Sequence, residues 1–155
     1  ALGMTPIQIA RMRGFERTMH FLRAVVYEEY RRKAILGDNE GMTALLENYP
    51  GFMDGLLFGE RPLHRAARHG HLPLVRLLVE HGADVSAPAA TDKGFTPLHV
   101  AARRGFVSIC EYLIIKGAAP NALSGDGRTP AEVARNSGQR ATADYFRGLD
   151  DDAGS

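Results

Sequence analysis

The sequence has little cysteine, no long apolar run and almost no excess of either charge. Its 155 residues include one cysteine, Cys110, which excludes an internal disulfide framework and a cysteine-based zinc site. The sequence has no stretch of about 18 apolar residues that could span a membrane, and no apolar segment with a small-residue cleavage site near its start. A formal net charge of +1 argues against a nucleic-acid-binding domain. The length and composition fit one globular domain.

What the sequence does contain is a motif repeated at a nearly constant spacing. Residues 61–70 read RPLHRAARHG, residues 96–105 read TPLHVAARRG and residues 129–138 read TPAEVARNSG. The prolines of these segments are separated by 35 and then 33 residues, and so are the terminal glycines. A second motif follows two of them, LVRLLVEHGAD at 74–84 and ICEYLIIKGAA at 109–119. Such a period is typical of a repeat protein.

With these motifs the sequence resembles the ankyrin repeat family, whose repeat runs G-x-TPLH-x-AA-x-x-G, then a second helix ending in LL, then GAD-x-N. The resemblance covers about residues 24–148, and the segment 94–122 matches best. It implies an all-α ankyrin repeat solenoid, in which helix-turn-helix pairs are joined by β-hairpin fingers. We expect repeats at about 25–56, 57–91, 92–124 and 125–148.

The residues at the helix ends agree with that fold. Thr96 can cap the first helix of its repeat with its hydroxyl group, and Pro97 suits the first helical position, where no N–H is needed. Gly105 ends this helix where a left-handed residue is required. The turn-rich segment 118–128 predicts a finger. On the second helix, one face carries core residues at helical spacing, namely Val107, Cys110, Leu113 and Ile114.

The first and last repeats depart from the pattern. The first keeps Ala34 and two leucines at the expected positions but lacks the TPLH motif, and its first helix is predicted over Tyr27–Leu36. The last repeat has Glu132 in place of the histidine and a mostly polar second helix, as the solvent-facing end of a repeat array requires. We expect residues 149–155 to form a disordered acidic tail.

Residues 1–24 read as an additional ankyrin-like helix pair with irregular spacing. The segment GMTPIQIARMRG at 3–14 matches a first helix, but its glycine precedes the next one by 23 residues rather than 33. Residues 15–36 contain no glycine or proline, so one helix of about 33 Å can form there at about 1.5 Å per residue. Either a turn forms around residues 23–26 and the pair is an irregular cap, or the pair closes an upstream ankyrin block. The second alternative allows homo-oligomerisation through residues 1–36.

No residue pattern points to catalysis, a cofactor or a metal ion. Five of the six histidines lie between His64 and His99. Those two occupy the TPLH position, where the resemblance implies hydrogen bonds within and between repeats. His71 also occupies a consensus position, and the histidines lack a cysteine partner and metal-ligand spacing. Cys110 lies at a core position, where a thiol acts as a small hydrophobic group. We therefore expect neither an enzyme nor a cofactor.

The most informative surface combines the exposed ends of the first helices with the fingers, where the resemblance implies that partners bind. Residues 61–104 carry seven Arg or Lys against three acidic residues. Arginine binds carboxylates with paired hydrogen bonds, so an acidic protein or peptide would complement this excess. Alternatively, these are ordinary solvated arginines. The predicted partner-binding residues are Arg65, Arg68, His69, Lys93, Phe95, Arg103, Arg104 and Arg128.

A second candidate interface is the first finger, which is unusually apolar. An exposed cluster of this kind would mark an interaction site, whereas the alternative is that it packs under the N-terminal helix pair. Its apolar residues are Phe52, Met53, Leu56, Leu57 and Phe58.

These observations favour a non-catalytic, intracellular protein–protein interaction module, with a cytoplasmic location expected. The alternative is a regulatory or substrate-targeting segment of a larger enzyme, such as a kinase or ubiquitin ligase, which is a role the resemblance also allows. A third hypothesis, a basic module that binds nucleic acid or anionic lipid, conflicts with the net charge of +1. We therefore expect protein partners, no nucleic acid and no membrane insertion.

Overall fold

The computed structural model describes residue 9, residues 16–49 and residues 59–153. Within the two longer ranges the chain forms eight α-helices, a short 3-10 turn at Asp92–Gly94 and no β-strand. The helices are α1 (Glu16–Leu36), α2 (Asn39–Asn48), α3 (Pro62–His69), α4 (Leu72–Glu80), α5 (Pro97–Arg104), α6 (Val107–Ile115), α7 (Pro130–Asn136) and α8 (Arg140–Ala153).

The helices stack as pairs in two layers. The inner layer consists of α1, α3, α5 and α7, each packed against the next, and the outer layer consists of α2, α4, α6 and α8. Consecutive helices of a pair also pack against each other, as α5 does with α6. This arrangement confirms the all-α repeat solenoid that the sequence predicts.

The inner helices begin and end as their motifs predict. Thr96 accepts a hydrogen bond from the His99 N–H at the start of α5, and Thr129 caps α7 in the same way. Gly105 ends α5 with φ of 82°, and its N–H donates to the carbonyl of Ala101. An L-residue with a Cβ adopts this left-handed backbone only at a cost, so the glycine is required by the turn.

Small residues hold the inner layer together. Ala66, Ala101 and Ala134 occupy corresponding positions of α3, α5 and α7 and are all fully buried. Their short side chains let neighbouring helices approach closely, and leucines and aromatic rings then fill the space toward the outer layer. Cys110 is fully buried among these residues, as predicted.

The first inner helix differs from its prediction. α1 is one helix of 21 residues, whereas α3, α5 and α7 have eight, eight and seven. It runs unbroken through residues 23–26, where the first of the two alternatives places a turn, and it spans the predicted boundary between residues 24 and 25. The physical reason is the absence of a helix breaker. The assignment of residues 1–24 to a cap or an upstream block stays a prediction. No helix in the described ranges, α1 included, is long and apolar enough to cross a membrane.

The C-terminal segment is also more ordered than predicted. α8 continues through residues 149–153, so the expectation of a disordered tail is wrong for these residues, and residues 154–155 lie outside the described ranges. Phe146 is buried and Leu149 packs against the core. Apolar residues spaced three to four positions apart form one face of α8, and this face packs the helix against the array although most of its other residues are polar.

The fingers of the second and third repeats are tight turns rather than β-hairpins. The Ala89 N–H donates to the carbonyl of Phe95 at 2.9 Å, and the Ser124 N–H donates to that of Arg128 at 2.9 Å. One such bond closes each loop but does not pair two strands, so the predicted β-hairpins are corrected here. The two turns touch each other, because the Gly125 N–H donates to the carbonyl of Lys93 at 2.7 Å.

Candidate partner-binding surface

The predicted basic residues lie on the inner layer and the turns that follow it. Arg68 and His69 form the last turn of α3, and Arg103 and Arg104 form the last turn of α5. Since α3 packs against α5, these ends are neighbours. We call the residues of this region the inner-layer surface, and they are Arg65, Arg68, His69, Lys93, Arg103, Arg104 and Arg128.

Two of its arginines are paired with a buried acid that the sequence analysis did not single out. Glu60, only 6% exposed, forms an ion pair with Arg68, and its other oxygen lies 3.9 Å from Arg65 Nη2. Both arginines are mostly buried, and burial lowers the pKa of Arg65. Glu60 thereby anchors the residues before α3 to the helix and neutralises part of the positive charge of the two arginines. The signal that could have identified Glu60 in the sequence is an acid two residues before a helix that carries arginines on its first two turns.

The positive charge that reaches solvent belongs chiefly to Arg104, and His69 lies beside it at the end of the neighbouring helix. Both are exposed, and no carboxylate of the described ranges lies within ion-pair distance of Arg104. Partial burial lowers the pKa of His69, and the nearby His71, Arg68 and Arg104 lower it further. His69 therefore reports an electropositive environment, and its ring stacks on that of His71 at 6.2 Å.

Phe95 is buried, although it was predicted to contact a partner. Its ring is 2% exposed and stacks on His99 with centroids 5.4 Å apart. The guanidinium carbons of Arg103 and Arg128 lie 5.2 and 5.7 Å from the ring centroid, within the range of a cation–π interaction. Phe95 thus positions two of the predicted arginines, and it lies inside because an apolar ring loses water contact there.

Lys93 and Arg128 share one carboxylate on the turns. Asp126 lies 3.2 Å from Lys93 Nζ and 2.5 Å from Arg128 Nη2. Hydrogen bonds from Arg128, Ser124 and Lys93 hold the pKa of Asp126 well below its usual range. Lys93 also has a left-handed backbone, with φ of 61°. This network fixes the shape of the turns, so both cations are partly neutralised before any partner arrives.

The histidines of the repeats form hydrogen bonds between repeats, as the resemblance implies. His64 Nε2 donates to the carbonyl of Phe95 at 3.0 Å, and His99 Nε2 donates to that of Arg128 at 2.9 Å. His71 bonds to the carbonyl of Ile35 at 2.6 Å. Burial lowers the pKa of His64 to about 4. These side chains are thus structural, and no group of three potential metal ligands occurs among the described residues.

The residues of the apolar finger lie outside the described residues, and they are Phe52, Met53, Leu56, Leu57 and Phe58. Its role as an interface stays a prediction. Most of residues 1–15, which belong to the predicted region of self-association, also lie outside them.

Comparison with known families gives a direct match. The family model for ankyrin repeats in three copies matches residues 34–124 and again residues 86–150. Together the two matches cover well over half of the chain. No curated protein matches the sequence significantly.

Proposed function

Because this chain belongs to the ankyrin repeat family, whose members are protein–protein interaction modules, we propose that it binds an acidic protein or peptide on the inner-layer surface. The observation that supports this most is Arg104, an exposed cation for which no carboxylate of the described ranges lies within ion-pair distance. A partner with carboxylate groups would complement its charge.

The rigid setting of these cations favours binding. Arg103 and Arg128 are stacked on Phe95, and Lys93 is tied to Asp126. Side chains that are already ordered lose little entropy when a partner binds. Arg104 and His69, exposed at adjacent helix ends, are the groups we propose to make the first contacts.

The test is a selection of random 12-residue peptides displayed on phage, with the whole chain as bait. We expect the selected peptides to be enriched in Asp and Glu, and their binding to weaken at least tenfold when His69 and Arg104 are both changed to Glu. Arg76→Glu, a change on the exposed face of the outer helix α4, is the matched control and should have little effect. Peptides without acidic enrichment, or equal binding to both variants, would contradict the proposal.

We also propose that the chain itself is non-catalytic, as domains of this family generally are. Cys110 supports this, because burial raises the pKa of its thiol to about 12 and keeps it protonated and out of contact with substrates. An intracellular, cytoplasmic location belongs to the same proposal.

Self-association through residues 1–36 is a further proposal. α1 begins about 13 residues before the point that corresponds to the start of α3, which adds roughly 20 Å of helix at about 1.5 Å per residue. Val25, on this extension, is 50% exposed. Light scattering on the whole chain and on a chain that starts at Val25 tests it. A dimer that dissociates on truncation would support it, and a monomeric whole chain would contradict it.

A further inference from the structure

A cleft at the C-terminal end of the array is lined mainly by arginines. It has a volume of about 480 Å³ and lies between the end of α7 and the first half of α8. It is separate from the inner-layer surface, which involves α3, α5 and the turns. The residues that line it are Arg135, Gly138, Arg140, Ala143, Asp144 and Arg147.

The arginines replace residues that are apolar one repeat earlier. The residues 33 positions before Arg135, Arg140 and Arg147 are Ala102, Val107 and Ile114, which belong to the helices that pack against the last repeat. A polar end face is expected of a terminal repeat. Polarity alone does not require three side chains of the same charge around one cleft. The lining carries three positive charges and one negative charge, a net charge of +2.

Two of the three arginines form no ion pair with a carboxylate of the described ranges. Arg147 Nη1 lies 3.1 Å from Asp144 Oδ1, and both side chains are largely exposed. No carboxylate of the described ranges lies within 4 Å of Arg135 or Arg140. The carboxylate closest in sequence to Arg135 is Glu132, whose Oε2 accepts from the Thr129 N–H at 2.8 Å to cap α7. The cleft therefore holds guanidinium donors that no carboxylate of the described chain uses.

We propose that this cleft binds a phosphate monoester group carried by a phosphorylated side chain of a protein partner, with Arg135 and Arg140 as its main ligands. A phosphate monoester carries a charge of about −1.5 to −2 near neutral pH, which matches the lining. Guanidinium groups bind phosphate oxygens with paired, charge-assisted hydrogen bonds. That a protein carries the phosphate group rests on the proposed protein-binding function. The anion site itself is independent of that function.

The test is a titration of the ¹⁵N-labelled whole chain, followed by NMR at constant ionic strength. The probes are a phosphoserine tripeptide, the same tripeptide without phosphate, and inorganic phosphate. We expect saturable shifts confined to residues 135–147 with the phosphopeptide and none with the unphosphorylated peptide. Arg135→Gln combined with Arg140→Gln should weaken the affinity about tenfold or more, with an unchanged far-UV circular dichroism spectrum.

The matched control is Arg32→Gln combined with Arg76→Gln. This control also removes two positive charges, but from exposed positions on α1 and α4, away from the cleft. We expect it to keep the phosphopeptide affinity. Equal losses in both double variants would reduce the effect to general charge attraction and overturn the site. Shifts that do not depend on the phosphate would overturn it as well. Shifts with inorganic phosphate but not with the phosphopeptide would overturn the proposal that the phosphate group belongs to a protein partner. Because the two sites are separate, loss of acidic-peptide binding at Arg104 would leave this result unaffected.

Discussion

The second and third repeats share a backbone plan but differ in chemistry where their inner helices begin. Both helices start with proline, at Pro62 and Pro97, and both end at a glycine with φ near 80°. In both, a histidine donates to the carbonyl of the next turn, at 3.0 and 2.9 Å. The repeats can therefore be compared position by position, 35 residues apart.

The first difference lies two residues before each helix. Glu60 in the second repeat is buried beside Arg65 and Arg68, whereas its counterpart Phe95 is buried beneath Arg103 and Arg128. A carboxylate and an aromatic ring thus perform the same task, which is to hold an arginine of the last helical turn. The repeat backbone accepts either solution because the arginine stem can cover both.

The helix cap shows the second difference. In the third repeat the Thr96 hydroxyl lies 2.8 Å from His99 Nδ1 and the two residues form a reciprocal cap. In the second repeat Arg61 replaces threonine and α3 has no side-chain cap. His64 Nδ1 is buried and has no hydrogen-bond partner among the described residues. The third repeat therefore satisfies a polar group that the second leaves unsatisfied. Four substitutions test this comparison, from the largest expected effect to the smallest.

Phe95→Ala should lower the free energy of unfolding by about 3–5 kcal/mol, the range typical of a buried phenylalanine. It removes the ring that Arg103 and Arg128 cover. Urea unfolding monitored by circular dichroism measures it. Phe95→Leu is the control, since it keeps most of the apolar volume and loses the contacts that need a ring, namely the cation–π contacts and the stacking on His99. A loss below 1 kcal/mol for Phe95→Ala would show that the ring is not a core element.

Acidification should destabilise the chain through His64. Its pKa is about 4 in the folded protein and about 6.5 when unfolded, so the unfolded state binds more protons in between. The free energy of unfolding therefore falls as the pH falls from about 6.5 to about 4, by up to about 3 kcal/mol. His99, whose pKa burial also lowers, contributes with the same sign. An NMR titration in which His64 protonates near pH 6.5 would refute this expectation.

Glu60→Gln should cost about 1–3 kcal/mol, because it removes the carboxylate that pairs with the mostly buried Arg65 and Arg68. The estimate lies below the usual figure for a fully buried pair, since both arginines keep some contact with water. Thermal unfolding measures it. Glu28→Gln, which breaks the exposed pair with Arg31, is the control and should leave the midpoint unchanged. Equal midpoints for the two variants would mean that Glu60 is not a structural anchor.

Arg61→Thr should stabilise the protein by about 1 kcal/mol, the usual contribution of a helix cap. The new hydroxyl would accept from the His64 N–H and donate to His64 Nδ1, as Thr96 does for His99. The substitution loses only a bond from Arg61 to the carbonyl of Pro88 at 3.0 Å. The reciprocal change, Thr96→Arg, should destabilise by a similar amount. An unaltered or lower stability of Arg61→Thr would show that the two repeats cap their helices by different rules.

The basic surface shows where sequence reasoning stopped being sufficient. The sequence alone predicted Arg104 and His69 at exposed helix ends, where the structure places them. It did not find that Glu60 neutralises Arg65 and Arg68, since eight residues separate the acid from the farther arginine and only the turn into α3 brings them together. It also treated Phe95 as exposed, although the ring is enclosed by Arg103 and Arg128 from two different repeats.

The sequence by itself determined the repeat array, its helix caps and the left-handed turn at Gly105. These features depend on contacts between residues a few positions apart, or on the conformational freedom of one residue. Tertiary structure alone decided which charges remain available to a partner, and that Phe95 is buried beneath two arginines. These outcomes depend on packing between neighbouring repeats and on acids distant in sequence, which no local pattern encodes.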